Sequence, residues 1–261
     1  MSIPAPLLSF GEHLDALVAA TDRLASAAGS TWLGADVPTC PQWSLLDLVA
    51  HTGMVHRWAT AAVLGDRETM GDAELIEEEG RTAPDPPAWF RAGAARLAAV
   101  LHEAPDDLDA LVFLKDAPPA KRFWARRQCH ETTIHALDAL AARDGRTARA
   151  DDAWFGAALA LDGIDELLVG FWQRTKSSPH GDPGYAALVL PTDADVAWLL
   201  RIGPDPLVTT RVEASAPAQA DVVLSGSAVD LYLALWNRGG TVEDPAEVLP
   251  SWRLQSPITW S

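Results

Sequence analysis

The chain has 261 residues, 48% of them hydrophobic and 21% charged, with a formal net charge of −16. That is enough apolar material for one large domain or two modest ones. The acidity argues against nucleic acid and anionic membranes, whose phosphates are met mainly by Lys and Arg. Two cysteines, Cys40 and Cys129, do not make a disulfide framework. Met1–Pro6 lacks the basic start and apolar run of a signal peptide, and no apolar stretch approaches the length of a membrane span. The expectation is a soluble, cytoplasmic protein with small-molecule partners, monomeric or weakly self-associating. The preference for Arg over Lys, with abundant Ala and Asp, matches the usage of a GC-rich genome.

Apolar residues recur at helical spacing from Leu7 to about Ala28, at Leu7, Phe10, Leu14, Leu17, Val18 and Leu24. After a polar stretch, Ser44 reads as an N-cap with Asp47 three residues on. It opens a helix from Leu45 to about Leu64. The acidic connection from Gly65 to Pro87, with Glu77, Glu78 and Glu79, reads as a solvated loop or a fragment of helix. Further helices are predicted from about Ala88 to Glu103 and from Lys121 to about Arg143, the latter free of Gly and Pro through Ala142. Four such helices describe a bundle, a scaffold that commonly builds metal sites from inward-facing side chains.

Gly145 to Ala150 reads as a linker and Asp151 to about Arg174 as one apolar helix. Beyond the turn-rich stretch from Ser177 to Gly184, strand-like runs follow at Tyr185–Leu190, Asp195–Ile202, Leu207–Glu213 and Ala220–Leu224. Gly226 to Arg238 then reads as a helix ended by Gly239 and Gly240. The predicted fold class is α+β: a metal-binding four-helix bundle over 1–145, then a small α+β domain over 146–261.

The chemistry concentrates in Arg126-Arg127-Gln128-Cys129-His130-Glu131-Thr132-Thr133-Ile134-His135. Glu131 and His135, four apart, share a helix face and present a carboxylate beside an imidazole. A catalytic zinc usually takes three protein ligands, so a third is expected from another element, and His51 is the best candidate. The plainer alternatives are a structural histidine at 51 and a solvated Glu131–His135 pair. Two histidines and a carboxylate suit zinc, and also iron, nickel or manganese. His56 stands about 140° round the helix from His51 and His130 about 100° from Glu131, so both read as supporting or structural. His13, His102 and His180 read as surface residues. Arg127, four residues before Glu131, is placed to pair with it or to meet an anionic substrate, and Arg126 is a second candidate. The eleven tryptophans read as core and interface packing, with one or two able to wall a pocket.

Thr39-Cys40-Pro41-Gln42-Trp43-Ser44 with Asp47-Leu48-Val49-Ala50-His51 resembles the first signature of the mycothiol-dependent maleylpyruvate isomerase family. Phe123–Ala139 and Gly226–Arg238 resemble its second and third. The resemblance implies a DinB-like metal-binding four-helix bundle followed by a sterol-carrier-like domain. It also implies a divalent metal, commonly zinc, on His51, Glu131 and His135, mycothiol as thiol cosubstrate, and an actinobacterial source. By the same resemblance Arg238 joins Arg126 and Arg127 as a candidate catalytic residue. Asn237 stands where the family usually has Gly, and Ala136 and Leu137 replace its Arg and Trp. The implied enzyme is an isomerase, or an S-transferase, of a small electrophilic, carboxylate-bearing substrate; a non-catalytic protein binding metal or an apolar ligand is the alternative class.

Overall fold

The computed structural model describes residues 4–5, 8–114, 117–174, 178–216 and 219–256. Met1–Ile3, Pro6, Leu7 and Ser177, which entered the sequence reading, lie outside them. The chain divides into two compact units. One comprises Ser9–Phe113 and Ala117–Ala148; the other takes in the N-terminal residues through Leu8, the segment at Leu114 and everything from Arg149 onward.

In the first unit, helix starts are written locally. Ser9 caps α1 (Phe10–Ser30) and Ser44 caps α2 (Leu45–Leu64), each in a reciprocal box with the acid three residues on, Glu12 and Asp47. Asp85 caps α5 (Pro86–Glu103), which carries Pro at its first positions, where the missing N–H costs nothing. α6 (Ala120–Asp144) ends on Gly145 in the left-handed conformation. α1 packs on α5 and α6, and α2 on the same two, giving a four-helix bundle with Leu17, Leu24, Leu45, Leu48, Phe90, Leu97, Phe123 and Trp124 in its core.

Of the two readings open for the acidic connection, the structure takes the helical one, as α3 (Arg67–Gly71) and α4 (Ala73–Thr82). Ile76 gives α4 an apolar foot in a cluster with Met54, Val55, Trp58 and Trp89. Gly80 lets α4 lie close on α2: a Cβ there would come within 3.0 Å of the Ala50 Cα and 2.6 Å of the Trp89 ring. His13, expected at the surface, is buried at 4% exposure, because it continues the line of Leu17, Thr21 and Leu24 on the inner face of α1. Val18, expected inside, is 52% exposed.

The second unit holds a four-stranded sheet in the order β3-β2-β1-β4 (β1 Tyr185–Pro191, β2 Val196–Ile202, β3 Val208–Glu213, β4 Val222–Gly226). β1–β2 and β2–β3 are antiparallel, and β4 returns parallel to β1. The long helix expected before the sheet is broken. A 3₁₀ turn at Ala150–Asp152 precedes α7 (Ala157–Asp165), which runs into a π-helical turn at Glu166–Gly170 and a 3₁₀ turn at Phe171–Gln173. Gly156, extended at φ −104°, starts α7 late, and at the far end the backbone N–H of Phe171 reaches back five residues to Glu166. α8 (Ala228–Leu235) is capped by Ser227 and ends before Asn237, which takes φ 62°; α9 (Val248–Gln255) follows.

This unit is cross-braced by Asp165, which is 1% exposed. Its carboxylate accepts from Nε and Nη2 of the Arg211 guanidinium, at 2.5 and 2.8 Å, and from Trp198 Nε1 at 3.0 Å. Removing one partner of a buried pair leaves the other charge uncompensated. Asp165→Ala is therefore expected to destabilise the protein by about 3–5 kcal/mol, read as a lowered urea midpoint. A shift below about 1 kcal/mol, typical of an exposed pair, would remove the brace from this account.

Candidate metal centre

α2 and α6 bring three side chains to one point. One ligand atom from each of His51, Glu131 and His135 lies within 4.8 Å of the others. Glu131 Oε1 is the meeting place, 3.2 Å from His135 Nε2 and 3.9 Å from His51 Nε2. Ligands at zinc-type bond lengths around a tetrahedral ion stand about 3.3 Å apart, so these separations suit one divalent cation. The two imidazoles are nearly perpendicular, 83° at 5.5 Å between centroids, so their nitrogens converge from different directions.

Each ligand is held from behind. Arg127 donates Nη2 to Glu131 Oε2 at 3.0 Å, which leaves Oε1 toward the histidines. His135 donates Nδ1–H to Asp138 Oδ2 at 3.0 Å, leaving its Nε2 lone pair for an ion. Asp138 is fully buried and takes a 2.5 Å hydrogen bond from the Thr39 hydroxyl and a 3.7 Å contact from the Cys40 thiol. A tight turn, with Cys40 N–H bonded to Val37 O and Trp43 N–H to Cys40 O, carries both residues. The same turn sets the Trp43 ring 4.6 Å from His51 and 5.9 Å from His135, as a wall of the site.

Burial raises the pKa of the Glu131 carboxyl, but His135, His51 and Arg127 more than offset it and hold the group well below the usual carboxylate range. Burial likewise works against a charged His135, yet Asp138 and Glu131 overcome it and push the pKa up to about 9. Without a metal, then, Glu131 and Asp138 flank an imidazolium.

His56 takes no part. It is fully buried, stacked on Phe90 and bonded through Nε2 to the Thr132 hydroxyl at 2.8 Å, and burial holds its pKa near 3, so it stays neutral. His130 is buried with its ring edge-on to His13 at 6.2 Å. Arg126 and Arg127 are both buried, at 8% and 3% exposure, whereas Arg122 is exposed. Arg238 belongs to the other unit, half-buried just after α8, and donates to the Trp236 carbonyl at 2.8 Å. His102 and His180 are exposed, as expected.

Sequence reasoning left out three supporting residues. Asp138 had a readable signal, three residues after His135 on one helix. Trp43 had one in the first family signature and among the tryptophans able to wall a pocket; Glu77 had none, because it reaches the site only through the packing of α4 on α2. Glu77 Oε2 lies 3.8 Å from His51 Nδ1.

Because folding raises the His135 pKa, its stabilising contribution is complete below 6.5, the value of an unperturbed imidazole, and is lost as the pH climbs through about 9. Chelator-treated protein is expected to lose about 3 kcal/mol over that interval, seen as a fall of several degrees in Tm. In His135→Ala that alkaline slope should vanish. An equal slope in both proteins would show that the imidazolium is not held as described.

Two family models match the chain in succession. The mycothiol maleylpyruvate isomerase N-terminal domain covers residues 14–140, and the C-terminal domain of the same family covers 158–254. Two solved structures, of a mycothiol-dependent maleylpyruvate isomerase and of a histidine-to-alanine mutant of that enzyme, match with TM-scores of 0.56 and 0.57. Identities are 18% and 19%, over 90% of this chain and 93% of theirs, a likeness of fold. No curated protein sequence matches the chain.

Proposed function

This chain belongs to the mycothiol maleylpyruvate isomerase family, and we propose that it is a metal- and mycothiol-dependent enzyme whose ion is held by His51, Glu131 and His135. The observation that carries the reading is the convergence of two imidazole nitrogens on Glu131 Oε1, with the far nitrogen of His135 tied to a buried carboxylate. Three protein ligands leave a position open for a substrate atom. Zinc suits the set best, and nickel, iron and manganese are compatible with it.

A divalent metal bound there supplies a Lewis acid that lowers the pKa of a thiol. The chain's own residues do the rest. Arg127 fixes the rotation of Glu131, Asp138 fixes the tautomer of His135, and Trp43 covers both imidazoles from one side. The thiolate of mycothiol adds to the cis double bond of a maleylpyruvate-type substrate, the former double bond rotates, and expulsion of the thiolate leaves the trans isomer. The thiol is consumed and regenerated, so the atoms balance. Arg126 is the cation proposed to meet a substrate carboxylate and the enolate charge; the Arg127 guanidinium is engaged by Glu131.

Elemental analysis of purified protein is expected to find close to one metal per chain, and about a tenth of that or less in His51→Ala and His135→Ala. Metal-loaded wild type should isomerise maleylpyruvate only with added mycothiol. A product that keeps the thiol attached would make it an S-transferase. Metal content indifferent to both substitutions would sink the ligand assignment. Arg126→Met is expected to raise KM by roughly 10–100-fold, the loss of one charge-assisted hydrogen bond. An unchanged KM would remove Arg126 from the substrate site.

A further inference from the structure

The two histidines are built alike. Each turns Nε2 toward Glu131 Oε1 and Nδ1 toward another carboxylate: Asp138 for His135, Glu77 for His51. Asp138 comes from the same helix as its histidine. Glu77 comes from α4, in the stretch whose charges look solvated in sequence.

α4 presents Glu77 by a two-rung ladder. On α2, Asp47 and His51 are four residues apart on one face; on α4, so are Glu77 and Arg81. Arg81 Nε donates to Asp47 Oδ1 at 2.9 Å, and His51 Nδ1 faces Glu77 Oε2 at 3.8 Å. The side rails are tied as well, since Arg81 Nη2 also grips Glu77 Oε1. Gly80 sets the spacing by permitting close approach at Ala50, next to His51. Asp47 is in turn locked by Ser44, its Oδ2 accepting the Ser44 N–H at 3.0 Å and the Ser44 hydroxyl at 2.6 Å.

We propose that Glu77 is a positioning residue: as acceptor for His51 Nδ1–H it selects the tautomer that leaves Nε2 for the metal, and α4 exists in part to deliver it. The proposal rests on the ligand reading above. The two outer carboxylates differ in grip. Asp138 is fully buried and bonded at 3.0 Å, whereas the Glu77 side chain is 21% exposed and stands at 3.8 Å. His51 is thus the more loosely held ligand, and Glu77 should count for less than Asp138.

The test uses full-length protein stripped of metal and titrated with Co²⁺ against a chromophoric chelator, with the visible Co²⁺ spectrum as second readout. Glu77→Ala is expected to weaken Co²⁺ binding by about 10-fold and Asp138→Ala by nearer 100-fold, the range for outer carboxylates. Glu77→Ala should also perturb the spectrum. Glu77→Gln, which keeps an oxygen acceptor, should recover most of the affinity. Should the alanine variant fail to fold, Arg81→Met, which frees Glu77 from its anchor, must weaken binding in the same direction. Wild-type affinity and spectrum in Glu77→Ala, or in Arg81→Met where that variant stands in, would overturn the proposal and leave the three ligands intact. A glutamine variant as weak as the alanine variant would make Glu77 a direct ligand and overturn it too. Wild type that takes up no Co²⁺ would overturn the ligand reading and this proposal together.

Discussion

The shared oxygen of Glu131 is the constraint on which the site turns. A carboxylate set into the middle of a helix bundle is costly unless positive charge and donors surround it. Here Arg127 holds one oxygen at 3.0 Å and His135 stands 3.2 Å from the other, with His51 Nε2 3.9 Å from that same oxygen. Because both histidines are aimed at the same atom, the arrangement around the carboxylate also gathers the ligands an ion would use. Preorganisation for a cation and tolerance of a buried acid are the same geometry.

α6 bears most of this load, and its sequence shows the compromise. From Phe123 to Ala141 nearly every residue is buried, polar ones included. Apolar side chains such as Phe123, Trp124, Ile134 and Leu137 fill the core. Arg127, Glu131, His135 and Asp138, at spacings of four, four and three, form an internal polar seam. A helix buried all round cannot show a clean amphipathic stripe, so the seam is visible only as a repeat of charged types at helical spacing. The loop from Thr39 to Trp43 closes it, holding Asp138 with a hydroxyl and a thiol while Trp43 roofs the imidazoles.

The elements left open or misread share a cause. The sequence leaves α4 open between a solvated loop and a fragment of helix because Glu77–Glu79 dominate its composition; Ile76 and Gly80 are its buried positions, too few to register as a period. His13 was assigned to the surface because an isolated polar residue says nothing about which way its helix faces. The single long helix expected near Asp151–Arg174 breaks because Gly156 starts it late and an extra residue per turn enters at Glu166–Gly170. These are decisions of packing, made by neighbours distant in the chain.

The sequence alone determined what depends on residues near one another along it. Helix starts at Ser9 and Ser44, the strand runs of the second unit and the Glu131–His135 pair are all local, governed by caps, alternation and the helical repeat. The need for a third ligand pointed to His51 as the best candidate, and the family resemblance implied the same residue. Tertiary structure decided the rest: that His51 Nε2 points at the same oxygen as His135 Nε2, that Arg127 holds a ligand, and that Glu77 stands behind His51. Each of these depends on how one helix lies against another, and that is set by side-chain volumes and close approaches summed over the whole bundle.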